Sequence, residues 1–233
     1  MVTLHHVAFR SRDGNVLLRD ISFTLQSGEK TALLGANGSG KTTLAWLLAG
    51  AITASDGIIE WTPPLQPAEV QILFQNPASQ VLGNTVGEEL RVGLQFAGFS
   101  ESAINEIVAD GCAQLGLDEQ RELITLSGGE LQSVLLYAVR ILKPRLTIYD
   151  EPAMFLSPRR REGILHEVLT GESAALWITP HLREALRFSR IIVLHRGVLV
   201  ADIQTAHAPL SELTWSEWGT TSLPEWEWLA KSN

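Results

Sequence analysis

The residues Gly35-Ala36-Asn37-Gly38-Ser39-Gly40-Lys41-Thr42 satisfy every position of a G-x-x-x-x-G-K-[ST] loop. Glycines here let consecutive backbone amides curl round one anion, and a helix that starts at the end of the loop aims its positive pole at the same point. The loop therefore predicts a nucleoside triphosphate site cradled by Gly35, Asn37, Gly38, Ser39, Gly40 and Thr43. Lys41 is expected to reach the β- and γ-phosphates, and the Thr42 hydroxyl to bind Mg²⁺.

Such a loop needs a strand before it and a helix after it. Thr31-Ala32-Leu33-Leu34 leads in as a buried strand, and Thr43-Leu44-Ala45-Trp46-Leu47-Leu48 leads out as a helix. Upstream, 3–9 and 21–25 read as strands joined by a turn at Arg12-Asp13-Gly14-Asn15, and Asp56-Gly57 opens another over 58–61. Pro63 and Pro64 break the chain before a strand ending at Gln75. The pattern is helical over 86–96, 101–115 and 128–142. Strands return at 146–150, 174–179 and 191–194, separated by helices over 158–170 and 182–188, and a last hairpin joins 191–195 to 199–203 through Arg196-Gly197. This alternation predicts an α/β fold whose parallel sheet is covered on both faces, with a helical block at about 78–143 inserted in it.

Composition narrows the partners. In 233 residues, 18 Lys+Arg stand against 26 Asp+Glu, a net charge of −8 that argues against nucleic acid as the partner. The single cysteine, Cys112, excludes an internal disulfide and reads as a small buried residue on a helix. No signal peptide precedes the first strand, and no apolar run reaches the ~18 residues of a membrane span. A soluble, cytosolic chain is the expectation. His5, His6, His166, His195 and His207 have no spacing that suggests a metal site.

Two further segments carry a family likeness. Leu126-Ser127-Gly128-Gly129-Glu130-Leu131-Gln132 and Arg145-Leu146-Thr147-Ile148-Tyr149-Asp150-Glu151-Pro152 resemble the signature and Walker B motifs of ATP-binding-cassette (ABC) ATPases. Leu73-Phe74-Gln75-Asn76-Pro77 is similar to their Q-loop, and order and spacing agree from about residue 2 to 202. The resemblance implies a P-loop NTPase (RecA-like) core with an antiparallel β subdomain and an inserted α-helical subdomain, together spanning 1–206. It implies hydrolysis of ATP with Mg²⁺. Asp150, at the end of an apolar strand, would hold the Mg²⁺ shell with Thr42 and Gln75. Glu151 would polarise the attacking water, and Gln75 would sense the γ-phosphate. Ser127 caps the following helix, and with Gly128 and Gly129 it would serve the nucleotide of a second ATPase subunit, making the working unit a dimer.

Departures from that pattern matter as much. Ala153-Met154-Phe155-Leu156-Ser157 puts Ser157 where the family's D-loop has aspartate. The family's switch histidine aligns with Pro180, which has no N–H, while His181 comes one residue late, a displacement of about 3.8 Å. His181 remains the candidate for the γ-phosphate contact. Ser11 stands where an aromatic residue stacks on adenine, with Phe9 two residues earlier reading as core. Ser133 stands where many relatives have arginine, and Glu130 replaces glutamine. These changes suit a reduced-activity half of an asymmetric pair.

Phe74-Gln75-Asn76-Pro77-Ala78-Ser79-Gln80-Val81-Leu82-Gly83-Asn84-Thr85-Val86-Gly87-Glu88-Glu89-Leu90 is similar to the ATPase subunits of energy-coupling-factor (ECF) importers of vitamins and transition-metal ions. That likeness implies a membrane-embedded transporter subunit docking near the Q-loop, with the chain peripheral on the cytoplasmic face of the membrane. Two alternatives stay open: a regulatory or structural ABC subunit with little catalysis, and the ATPase of another ABC transporter class. Residues 207–233 form an acidic extension in which Trp215, Trp218, Trp226 and Trp228 alternate with Glu212, Glu217, Glu225 and Glu227. Its expected role is packing against its own lobe or anchoring a partner.

Overall fold

A computed structural model describes residues 1–66, 68–74, 76–152 and 158–207. In chain order the elements are β1 (Val2–Arg10), β2 (Val16–Leu25), β3 (Lys30–Leu34), α1 (Lys41–Leu48), β4 (Asp56–Trp61) and β5 (Val70–Leu73). There follow α2 (Val86–Phe96), α3 (Glu101–Leu115), α4 (Gly128–Ile141), β6 (Leu146–Asp150), α5 (Pro158–Thr170), β7 (Ala174–Thr179), α6 (Leu182–Ala185), β8 (Arg190–His195) and β9 (Val198–Gln204). They divide into two units, Met1–Pro64 with the chain from Val168 onward, and Leu65–Glu167.

In the first unit β2, β1 and β4 pair in that order as an antiparallel sheet. β2 begins at Val16, earlier than the apolar run at 21–25 suggests. The physical reason is a pair of bulges. Leu18 and Ile21 are three residues apart and would face opposite sides of a regular strand, yet both are fully buried. Asp20 at φ 51 takes up the extra residue, and His6 at φ 49 does the same between buried Leu4 and Val7 on β1. His6 Nδ1 and Asp20 Oδ1 meet at 2.6 Å across this kink.

β3 runs parallel to β7 on one side and β8 on the other, with β9 antiparallel to β8. Its residues Ala32, Leu33 and Leu34 are fully buried, as a strand covered on both faces requires. The β8–β9 turn places Arg196 at φ 48 and Gly197 at φ 78, as a tight two-residue hairpin demands. Arg190 ties the strands together: Nε donates to Asp202 at 2.6 Å, and Nη1 to Glu29 at 2.9 Å and the Thr24 carbonyl at 2.7 Å. The helix expected over 182–188 stops at Ala185. Arg187 and Phe188 donate to the carbonyls three residues back instead of four, a tighter turn. It carries Phe188 to Trp177, ring centroids 5.9 Å apart.

The second unit pairs β5 and β6 in parallel and packs α2, α3 and α4 round a common core. Val86, Leu90 and Leu94 of α2 recur every four residues and meet Ile104, Val108 and Cys112 of α3 and Val134 and Tyr137 of α4. Thr85 and Ser100 cap α2 and α3 by accepting from Glu88 and Ala103, and Gly116 at φ 66 ends α3. Gly111 of α3 leaves no room for a side chain: a Cβ there would lie 2.6 Å from the Tyr137 ring and 3.1 Å from Leu90. Gly111→Ala gains about 1 kcal/mol of helix propensity, while overpacking costs about 1–3 kcal/mol. A net loss of roughly 1 kcal/mol is expected by urea denaturation. Among the described residues no helix is long and apolar enough to cross a membrane.

Candidate nucleotide site

The loop at 35–40 leaves buried β3 and enters α1 through a backbone only glycine tolerates. Gly38 has φ 79 and Gly40, the residue before α1, φ 105. A Cβ on Gly40 would sit 2.7 Å from Leu18, and one on Gly35 would overlap the Leu194 carbonyl. Gly40 is closed to a side chain by backbone geometry and packing together, and Gly35 by packing alone. Asn37, Gly38 and Thr42 are exposed, and Thr43 is half-buried. Lys41 is buried, and its ammonium donates to the Gly35 and Ala36 carbonyls at 2.8 and 3.0 Å. Among the described residues, the hydroxyl of Ser39, a residue only 4% exposed, has no hydrogen-bond partner. A buried orphan hydroxyl in a ring of amides fits an anionic ligand that accepts hydrogen bonds.

In the second unit Asp150 ends β6 and is buried. Glu151 follows at φ 49, a left-handed turn of the backbone. Gln75 and Ser157 lie outside the described residues, as does the tryptophan-rich stretch beyond residue 207. Ser127 begins α4 with a full capping box. Its hydroxyl accepts from Glu130 N–H at 3.3 Å, and Glu130 Oε2 accepts from Ser127 N–H at 2.8 Å. Those bonds, the Ser127 side-chain bond first, hold the Glu130 carboxyl below its usual value of 4.5. The box is therefore intact at neutral pH and is lost as the pH falls through the lowered value. Ser127 and Gly128 are exposed, and the first amides of α4 point outward from the helix.

A groove of about 340 Å³ in the same unit runs between the β5 end and α2, lined in part by Gln80, Leu82, Glu89, Val92 and Phe96. Buried Glu89 fixes its edge, accepting from the Leu82 and Gly83 amides at 2.8 Å each. Leu82 and Phe96 are 71% and 81% exposed at its rim, which marks an unpaired apolar surface.

The ABC transporter pattern matches residues 18–154, more than half of the chain. The chain belongs to the ABC transporter family. It is 32% identical over 217 residues to an energy-coupling factor transporter ATP-binding protein of Mycoplasma mobile, covering 87% of this chain and 79% of that protein. Its fold matches cbiO1 of Clostridium perfringens, described as part of the ABC transporter complex cbiONQ, with a TM-score of 0.76 at 21% identity over 99% and 98% of the two chains. It also matches the dimeric, post-hydrolysis ATP-binding cassette MJ0796 bound to ADP and Pi, with a TM-score of 0.74 at 19% identity over 88% and 99%. The P-loop α/β fold is therefore that of an ABC cassette, and the chain is an ATP-binding ATPase subunit resembling those of ECF transporters.

Pro180 is half-buried, and His181 is exposed as the residue that starts α6, its amide donating to Thr179 Oγ1 at 3.1 Å. Glu184 has a structural role that its place in the sequence does not announce. Its Oε2 accepts from Thr179 Oγ1 at 2.8 Å and from the buried Trp177 indole at 3.1 Å. These bonds fix where the α6 turn begins. The available signal was a glutamate five residues after the strand-ending threonine, near enough to reach back to it. Phe9 is half-buried opposite Leu18, and Ser11 is taken up by the turn, accepting from Gly14 N–H and donating to Asn15 O through its backbone.

Proposed function

We propose that this chain is one ATPase of a two-ATPase pair that drives an ECF-type importer, with a vitamin or a transition-metal ion as cargo class. The phosphate loop carries the reading: its orphaned Ser39 hydroxyl, positive-φ glycines and buried Lys41 fit a triphosphate. The relative in Mycoplasma mobile supports the transporter class, and the dimeric cassette bound to ADP and Pi supports pairing. Thr42, Asp150 and Gln75 would hold Mg²⁺, which when bound offsets charge on the β- and γ-phosphates. Lys41 and the loop amides bind and orient the phosphates. Glu151 accepts a proton from the attacking water, and Gln75 and His181 report on the γ-phosphate. Ser127, Gly128 and Gly129 close on the nucleotide held by the second subunit, so closure excludes water and couples hydrolysis to motion. The apolar groove beside Phe96 and Leu82 suits a short cytosolic helix of the membrane subunit, which would hold the chain at the cytoplasmic membrane face.

Purification of the tagged chain from its native membranes in mild detergent tests this. A second, different ABC ATPase and a small hydrophobic subunit are expected by mass spectrometry. Recovery only from the soluble fraction, with neither, overturns the importer reading. Pro180 favours a second reading, a regulatory subunit with little turnover of its own. Substantial ATP hydrolysis by the isolated chain would exclude it.

A further inference from the structure

The first turn of α4 gathers more positive charge than its own folding needs. A helix N-terminus already carries partial positive charge, so a carboxylate is favoured there and a guanidinium is repelled. Glu130 supplies the carboxylate, with Arg121 Nη2 3.6 Å from its other oxygen. Yet a second guanidinium, from Arg160 on α5, lies directly against Gly129, where a Cβ would overlap its Nη1. Among the described residues no ion pair holds Arg160, whereas Arg140 nearby is held by Glu167 at 2.5 Å. Its charge reaches Glu130, helping to lower that carboxyl after the Ser127 bonds and Arg121 have acted. In a chain of net charge −8 this is an unusual place for a spare cation.

The surroundings point to what would offset it. Arg160 and Gly129 line a pocket of about 620 Å³ between α4 and α5, together with Arg159, Gln132 and Ser133. Gln132 is 3% exposed, and its Nε2 has no acceptor among the described residues. Ser133 spends its hydroxyl proton on the Gly129 carbonyl at 2.9 Å. Glu167 also lines the pocket and is held there by Arg140. The Arg160 guanidinium, the Gln132 amide and the Gly128 and Gly129 N–H groups are donors, and donors grouped in this way are matched by an oxyanion-rich group such as a phosphate. Ser133, at a position where many ABC ATPases carry arginine, is one helical turn beyond Gly129. Arg160 brings a guanidinium to the same turn from another helix.

We propose that Arg160 is a phosphate-binding residue of the signature surface, delivering from α5 the cation that position 133 does not supply, to the terminal phosphate of the nucleotide on the partner ATPase. The inference rests on the reading that Ser127, Gly128 and Gly129 face a partner's nucleotide. Gly129 then has a second role: it leaves the space the guanidinium occupies.

The test uses the assembly purified through a tag on this chain, as wild type, R160A, R160K and R160A/S133R, with kcat, KM for ATP and thermal midpoint measured for each. For R160A, kcat is expected to fall about ten- to a hundredfold with the midpoint unchanged. R160K should recover part of the loss, and S133R in the R160A background should recover more, because it returns a guanidinium to the same turn. Unchanged kcat in R160A, or a loss that neither second substitution repairs, overturns the proposal; a purely packing role of Arg160 gives that second pattern together with a lowered midpoint. A wild-type assembly that contains no second ATPase overturns the underlying reading and this inference with it, and is recognised before any variant is made.

Discussion

Replacing Lys41 with alanine should weaken ATP binding by this chain about a hundredfold while leaving the fold intact. The ammonium is buried and bridges the Gly35 and Ala36 carbonyls, holding the loop in its cradle shape. When a triphosphate arrives, the same ammonium can exchange carbonyls for phosphate oxygens at small cost, because it is already desolvated and poised. Charge-assisted bonds of this kind are worth up to about 3 kcal/mol, which corresponds to about two orders of magnitude in affinity. Stability should change by less than about 1 kcal/mol, since the freed carbonyls can be hydrated and the burial of an ammonium is relieved. Arginine at position 41 should not restore binding, because a planar fork cannot occupy the space of a compact ammonium between two carbonyls. Equilibrium titration with a fluorescent ATP analogue gives the answer, and a K41A chain that binds as wild type does would remove the phosphate loop from the site.

Why this site was readable from sequence, and other parts were not, comes down to the range of the interactions involved. The loop at 35–42, the capping box at Ser127 and the helices at 86–96 and 101–115 are local: glycine dihedrals, caps and four-residue apolar repeats lie within a few residues of one another. The early start of β2 at Val16 was hidden because bulges at His6 and Asp20 break the two-residue alternation that marks a strand. The short α6 was hidden because the pull of Trp177 on Phe188 acts between residues on different elements. Arg160 is the clearest case. Nothing in the segment Pro158-Arg159-Arg160-Arg161 distinguishes its second arginine from its neighbours, and only the packing of α5 beside α4 sets that guanidinium on Gly129. Glu184 is intermediate, since its partners Thr179 and Trp177 are near in sequence but lie on a strand that ends before α6 begins.

Glu151→Gln is the substitution expected to separate binding from turnover. The backbone at Glu151 takes a left-handed turn at φ 49 immediately after the buried Asp150, at the end of β6 where the proposed base lies. Glutamine keeps the size and hydrogen-bonding reach of the side chain but cannot accept the proton of the attacking water. General-base loss of this kind lowers turnover about 10²- to 10⁴-fold, while the phosphate loop, with Lys41 and Ser39 unchanged, should bind ATP as before. If ATP is what holds two cassettes together, a site that binds but does not hydrolyse keeps them closed. Light scattering with ATP and Mg²⁺ should then report a lasting dimer, formed with the second ATPase where the chain needs one. A persistent monomer with that partner present would count against nucleotide-driven pairing. Full turnover in Glu151→Gln would assign the base to another residue. The two readouts separate, because pairing depends on the signature surface of α4 and hydrolysis on the carboxylate after β6.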